Sequence, residues 1–423
     1  MNGAFAYKQT GKVSQAVHLY QLFVERYGTE EKLATLEKER PAALKERLKY
    51  LTTAYDSLAA AHVLTFDYQG AAELFLRIAG QTRFEAGGRK RAARNAAILY
   101  SKLGPPKQAA TAFALFVALK PTVIEKVEIE LTMAISASEA LEPWQPNEGA
   151  QVRKRRRAAM SALEKVVKDY SHQREAAGWV VEAAYRLARA AREERDKKWV
   201  DWCKKVEAAF EVYQHRPGVD PALERDTHHG RQAAECAYWR AAAVAQADFA
   251  ASDLKKPFAT PKELEAALKK VQGIHEPALQ KVVDRFKAPE SALAARAEQG
   301  RLYAYLRERM PAAAANETNA QREEREKRER SLQAQGLKYD VEALEWGRAA
   351  ASRAAPLERQ AALRVALSAD SGGVTLVKAA QAAFEASPGA AGRLRASRGP
   401  FAPMGKLLLP AASAVALPLP VKP

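Results

Sequence analysis

The fold of this chain is decided by residues 92–121, which read AARNAAILYSKLGPPKQAATAFALFVALKP. Small and apolar residues recur there every three or four positions, a spacing that predicts two amphipathic helices. Gly104 allows a tight turn between them, and Pro121 ends the second helix. The positions that define this frame are Ala93, Ala96, Ala97, Tyr100, Gly104, Ala109, Phe113, Phe116 and Pro121. The stretch therefore predicts a helix–turn–helix unit whose two helices cross at Ala109.

The same frame recurs twice upstream, in residues 4–28 and 54–80. In the second of these copies Phe66 replaces the turn glycine. The crossing alanines of the three copies, Ala16, Ala71 and Ala109, lie 55 and 38 residues apart (71 − 16, 109 − 71). The other matching positions are Ala4, Tyr7, Gly11, Tyr20 and Phe23 in the first copy, and Tyr55, Leu58, Ala59, Tyr68, Phe75 and Ile78 in the second. A helical insertion, EEKLATLEKERPAALKERL (30–48), accounts for the longer first interval.

Over about the first 120 residues, this frame resembles the tetratricopeptide repeat family, whose period is about 34 residues. The resemblance implies antiparallel helix pairs stacked into a solenoid, with the first helix of each pair lining a concave recognition surface. We therefore predict an all-α, tetratricopeptide-like solenoid with repeats in residues 1–121. The first repeat begins inside its own first helix, so we expect that the chain is truncated at Met1 or that its start is assigned too late.

Beyond Pro121 the frame decays but the helical period persists, which predicts degenerate repeats over residues 122–316. Two helix pairs are expected, one formed by residues 123–141 and 158–170, the other by residues 179–194 and 199–213. Asp220-Pro221 and Thr260-Pro261 are predicted helix starts, and Glu263 is placed to close a capping box at the second. Residues 278–306 resemble the degenerate repeats of bacterial cell-envelope proteins.

The C-terminal part of the chain departs from this pattern. Residues 317–331 (ETNAQREEREKRERS) predict a solvated helix with charge pairs at i,i+4 spacing, and we assign 317–386 to this charged helix and a helical end region. From Ser387 to the end, Pro, Gly, Ala and Ser dominate and every charged residue is basic. We expect residues 387–423 to be a disordered basic tail.

The chain is strongly basic, with a formal net charge of +17 and a pI of about 9.7. Five consecutive basic residues open a predicted helix: Arg153, Lys154, Arg155, Arg156 and Arg157. They predict a patch for nucleic acid, anionic lipid or an acidic partner. The alternative is an ordinary solvated face in a protein rich in Ala and Arg. No aromatic residues are interleaved with the run, so stacking on single strands is not predicted.

Motifs of catalysis and cofactor binding are scarce. The sequence has no phosphate-binding loop, no GxGxxG, no HExxH and no CxxC. Cys203, Cys236 and the pair His228-His229 could be drawn as a metal site, but buried cysteines and solvated histidines are the ordinary interpretation. We predict no catalytic residue, no metal and no cofactor, and an enzyme with an unrecognised site stays an alternative.

The compartment is left open by the sequence. No signal peptide, lipobox or run of 18 apolar residues is visible, and residues 407–420 (LLLPAASAVALPLP) are too interrupted by proline to span a bilayer. Because the chain start is in doubt, the bacterial cell envelope and the cytoplasm both fit. The repeat style and the Ala/Arg composition resemble large repeat proteins of the gliding-motility machinery in myxobacteria.

We therefore expect a non-catalytic scaffold that holds protein partners in a multiprotein assembly. The alternative is a binder of nucleic acid or anionic membrane. Arg91, Arg94 and Ile98 lie one or two turns apart on the first helix of the third repeat, and we predict that they face the groove and bind an acidic, extended segment. The competing interpretation is that both arginines only solvate a helix start. Since Asn95 is the sole asparagine between Ala4 and Pro121, tight binding of acidic C-terminal peptides is not expected.

Overall fold

The structure is a computed structural model that describes residues 2–103, 106–139, 149–218, 227–250, 257–313 and 316–349. Within these ranges every regular element is a helix and no strand occurs, which confirms the all-α prediction. The predictions for Gly104, Asp220-Pro221 and the basic tail lie outside the described residues. The chain divides into two compact units, with the boundary between Val166 and Val167.

The helices of the N-terminal unit cover the segments that the sequence predicts to be helical. They are α1 (Asn2–Gln9), α2 (Val13–Tyr27), α3 (Glu30–Glu39), α4 (Pro41–Leu64), α5 (Tyr68–Gly80), α6 (Ala86–Leu103), α7 (Pro106–Ala118), α8 (Val123–Glu139) and α9 (Ala150–Tyr170), which runs past the unit boundary. The insertion is helical, as predicted, but Pro41 divides it into α3 and the first turns of α4. Helix α9 begins at Ala150, three residues before the basic run that is predicted to open it (153 − 150).

In this unit α1 packs against α2, both α2 and α3 pack against α4, and α4, α5, α6 and α7 pack against one another in succession. Helix α6 also packs against α8, two elements further along. The centre of the unit is α6, in which Ala92 to Tyr100 are all buried. Alanine at four of these nine positions lets neighbouring helices approach α6 from several sides. The frame residues Ala93, Ala96, Ala97, Tyr100, Ala109 and Phe116 are buried, and Phe113 is partly buried.

The turns between paired helices use the left-handed backbone conformation that the frame requires. Gly11, between α1 and α2, has φ +74°, and Phe66, between α4 and α5, has φ +61°. At Phe66 the N–H of Asp67 donates to the carbonyl of His62 (2.8 Å) and the N–H of Phe66 to that of Val63 (3.2 Å). This is the Schellman pattern of helix ends, which normally places glycine where Phe66 lies.

The C-terminal unit repeats the same type of packing over residues 167–349. Its helices are α10 (Ala177–Glu193), α11 (Trp199–Gln214), α12 (His228–Ala250), α13 (Pro261–Lys270), α14 (Glu276–Phe286), α15 (Pro289–Glu308) and α16 (Asn319–Ala349). A π-helical turn, Val271–His275, connects α13 to α14. The predicted pair at 179–194 and 199–213 is therefore confirmed within two residues at each end. The central helix of the C-terminal unit is α15, in which Ser291 to Gly300 are all buried.

Capping boxes begin helices α8, α13 and α16. Thr260 accepts a hydrogen bond from the N–H of Glu263 (3.2 Å), and the Glu263 carboxylate accepts one from the N–H of Ala259 (2.9 Å), which confirms the predicted start of α13. The T-x-x-E/Q signature also caps α8 through Thr122 and Glu125, and α16 through Thr318 and Gln321. These two boxes carry the same sequence signal without a proline in the first turn.

Candidate interaction surfaces

The three residues predicted to face an open groove lie largely inside the packing of the N-terminal unit. Ile98 is fully buried, and the Arg94 side chain is only 5% exposed. Arg91 Nη2 lies 2.8 Å from Asp56 Oδ2 of α4, and Arg94 Nη2 lies 2.7 Å from Glu128 Oε1 of α8. Arg94 and Ile98 therefore lie inside the helix packing, whereas the Arg91 side chain is 34% exposed, and partner binding by these three residues stays a prediction. The first helix of the third repeat has neighbours on both sides, and sequence spacing alone does not show this.

Ion pairs join α6 to α4 and to α8, in each case with the cation on α6. Besides the Arg91 and Arg94 pairs, Lys90 Nζ lies 3.1 Å from Glu125 Oε2, and Lys102 Nζ lies 3.0 Å from Glu139 Oε2. The paired residues are 34 to 37 positions apart. This separation is close to one tetratricopeptide period of about 34 residues. We call this set of four ion pairs the α6 ladder.

The environment of the α6 ladder shifts the pKa of two of its carboxyl groups in opposite directions. Burial raises the pKa of Asp56, and the Arg91 guanidinium only partly offsets this effect. Burial also acts on Glu125, but the Thr122 N–H of the capping box and the Lys90 ammonium bring its pKa below the usual value. Both carboxylates are therefore committed to contacts within the unit.

The basic stretch Arg153–Arg157 lies in the first two turns of α9. From Ala150 to Ala158 the side chains are exposed, apart from the half-buried Arg156. No acidic residue lies in the first turn of α9, so the positive helix N-terminus adds to the like charges. Among the described residues, Arg153, Lys154, Arg155 and Arg157 have no carboxylate partner, in contrast to the cations of the α6 ladder.

Phe66 presents an aromatic ring to solvent at the α4–α5 turn. It is 74% exposed, and its ring meets that of Tyr68 edge-on at 6.2 Å between centroids. The turn is held by the Schellman bonds, by His62 Nδ1 at 2.7 Å from Asp67 Oδ2, and by the N–H of Gly70, which donates to Asp67. A non-glycine residue with a positive φ destabilises the folded protein by about 1–2 kcal/mol. Phe66 is therefore less favourable for stability than glycine would be at this position.

The two cysteines of the C-terminal unit lie in its helix packing, and His228 lies exposed beside Glu182. Cys203 and Cys236 are both free and buried, and burial together with the neighbouring Cys203 thiol holds the pKa of Cys236 well above its usual value. Glu182 of α10 accepts hydrogen bonds from Gln232 (2.6 Å) and lies 3.0 Å from His228 Nε2. In the ranges that the structure describes, no group of three or more His, Cys, Asp or Glu side chains could hold a metal ion.

A second polar cluster lies beside the π-helical turn and has no sequence motif. The Glu276 carboxylate accepts hydrogen bonds from the hydroxyls of Tyr303 (2.7 Å) and Tyr339. Burial, assisted by Glu276, raises the pKa of Tyr339 to about 12. The three side chains join α14, α15 and α16, so this cluster serves the fold of the unit.

No family model and no curated protein matched the sequence in comparisons with known proteins. Among the described helices, none is both long and apolar enough to cross a membrane. The interpretation of function therefore depends on the surfaces described above.

Proposed function

We propose that this protein is a non-catalytic helical-repeat scaffold that holds protein partners in a multiprotein assembly. In this proposal its helix pairs form a tetratricopeptide-like solenoid. Membership of a gliding-motility or other cell-envelope assembly remains a prediction from composition and repeat style.

The α6 ladder is the observation that supports this proposal most directly. Its ion pairs connect α4, α6 and α8, which are the first helices of consecutive pairs, at separations near one repeat period. Stacked repeats in which each unit contacts only its neighbours build extended surfaces suited to protein recognition. The carboxylates and the cations of the α6 ladder form ion pairs with one another. A partner must therefore contact other side chains.

Phe66 is the side chain best suited to contact a partner in the N-terminal unit. Exposed aromatic residues in rigid settings are frequent energetic centres of protein interfaces, because their rings lose little conformational entropy on binding. The Schellman turn and the His62–Asp67 pair fix the backbone under Phe66. We therefore expect a partner with an apolar pocket that accepts this ring.

The test replaces Phe66 by glycine and measures both stability and partner capture. Phe66→Gly relieves the left-handed strain, so the melting temperature should be unchanged or higher. Affinity purification from the source cells, with quantitative mass spectrometry, should show stoichiometric partners that survive 0.5 M salt with the unchanged chain. The variant should lose at least one of them by more than tenfold.

Lys120→Gly is the matched control, because Lys120 also has a positive φ (52°) but carries no aromatic ring. It should retain every partner. If no stoichiometric partner is captured by the unchanged chain, the scaffold proposal fails. If Phe66→Gly captures the same partners as Lys120→Gly does, Phe66 is not the contact.

A further inference from the structure

We propose that the first two turns of α9 are a binding site for double-stranded DNA, engaged through the phosphate backbone without sequence preference. The site consists of Arg153, Lys154, Arg155 and Arg157, all exposed. This inference does not depend on the scaffold proposal, because it concerns another surface and another class of partner.

The first observation behind it is the contrast between α9 and α6. Both helices are rich in cations, but on α6 Lys90, Arg91, Arg94 and Lys102 are each paired with a carboxylate. On α9 four adjacent cations have no such partner among the described residues. Placing them in the first turns of a helix is unfavourable, since they repel one another and the helix dipole. An external polyanion would remove this repulsion.

The distribution of charge around α9 favours a groove over a flat surface. Successive residues of an α-helix are turned by about 100°, so the four residues of the site spread over about 200° of the circumference of α9, and the remaining side carries the half-buried Arg156. A membrane contacts one side of a helix, whereas a helix in the DNA major groove has phosphates on both flanks. That groove is about 12 Å wide and admits an α-helix of about 10–12 Å diameter. The deep, narrow major groove of duplex RNA does not.

The experiment measures binding of the full chain to a fluorescent 20-base-pair DNA duplex of arbitrary sequence between 50 and 200 mM salt. Four phosphate contacts predict a slope of log affinity against log salt of about −4, since each contact contributes about −0.9. Replacing Arg153, Lys154, Arg155 and Arg157 together by Gln should weaken binding at least tenfold at 100 mM salt and reduce the slope markedly. Arg156 is left unchanged because it is half-buried and has other contacts.

Two matched variants separate this site from bulk charge. Replacing the exposed Lys38, Lys45, Lys49 and Lys107 by Gln removes the same charge elsewhere in the unit and should change affinity by less than threefold. Replacing the three arginines of the site by Lys preserves the charge and should preserve binding. Circular dichroism verifies that each variant keeps its helix content.

Three results would overturn the inference. Equal loss in both Gln variants would mean that only net charge matters. Tighter binding to vesicles containing phosphatidylserine than to duplex DNA, at equal phosphate concentration, would identify a membrane site instead. Equal affinity for duplex RNA of the same sequence would contradict docking in the major groove.

Discussion

At the scale of single residues, alanine determines how the helices of this protein pack. Ala109 is almost fully buried on α7, and Ala93, Ala96 and Ala97 are buried on α6, which packs against α7. A methyl group at these positions leaves room for the neighbouring helix. The sequence frame predicted these positions correctly because small residues at helical spacing on an apolar face are typical of a close helix contact.

Ala109→Leu should destabilise the protein, because a larger side chain overpacks a close helix contact. The expected loss is about 1–3 kcal/mol in the free energy of unfolding, measured by urea denaturation followed by circular dichroism. Ala110→Leu, at the exposed neighbouring position, is the control and should change stability by less than about 0.5 kcal/mol. Equal stability of the two variants would contradict the buried position of Ala109.

At the scale of helices, two central elements organise the units: α6 in the N-terminal unit and α15 in the C-terminal unit. Each is buried over at least nine consecutive residues and includes charged side chains, such as Arg94 on α6 and Arg296 on α15. These charges are tolerated because neighbouring helices supply partners: Arg296 Nε lies 2.8 Å from Glu342 Oε2 of α16. The close approach of α16 to α15 is possible because Gly300 and Gly336 lack side chains.

Gly300→Ala should therefore destabilise the C-terminal unit. A Cβ atom at Gly300 would overlap the Asp340 carboxyl group of α16, so either this buried carboxyl group is displaced or the two helices separate, at a cost of about 1–3 kcal/mol. Gly88→Ala is the contrasting variant, since a Cβ atom there meets nothing within 4 Å. It should leave stability unchanged or raise it by up to about 1 kcal/mol through helix propensity. Thermal unfolding of both variants against the unchanged chain tests this difference.

At the scale of the whole molecule, two histidines, the buried His275 and the half-buried His229, make stability depend on pH. Burial lowers the pKa of His229, against the opposing effects of Gln232 and Glu182. Burial likewise lowers the pKa of His275, whose Nε2 lies 3.1 Å from Asp248 Oδ2, near Lys270. The folded protein therefore keeps both side chains neutral to a lower pH than the unfolded chain does, in which they bind protons below a pH of about 6.5.

The free energy of unfolding should accordingly have its full value above a pH of about 6.5 and decrease as the pH is lowered below 6.5. The slope is at most about 1.4 kcal/mol per pH unit for each histidine. Carboxyl groups with lowered pKa, such as Glu182, lose their contribution in the same direction but at lower pH. His229→Gln and His275→Gln should each flatten the slope between pH 5 and 7, and the exposed His172→Gln should not. A slope that both variants leave unchanged would contradict this assignment.

The sequence by itself determined the all-α class, the helix–turn–helix pairs up to Pro121 and the helices of the pair near Trp199. Hydrophobic period, turn residues and capping signals are local, and helices are built from local contacts. Only the tertiary structure decided which cations form ion pairs within the chain. Arg91 and Arg94 were predicted to bind a partner, but Asp56 and Glu128, 35 and 34 residues away, bind them. The exposed Phe66 and the buried His275 were likewise decided by packing, because the burial of a side chain depends on neighbours that are distant in the sequence.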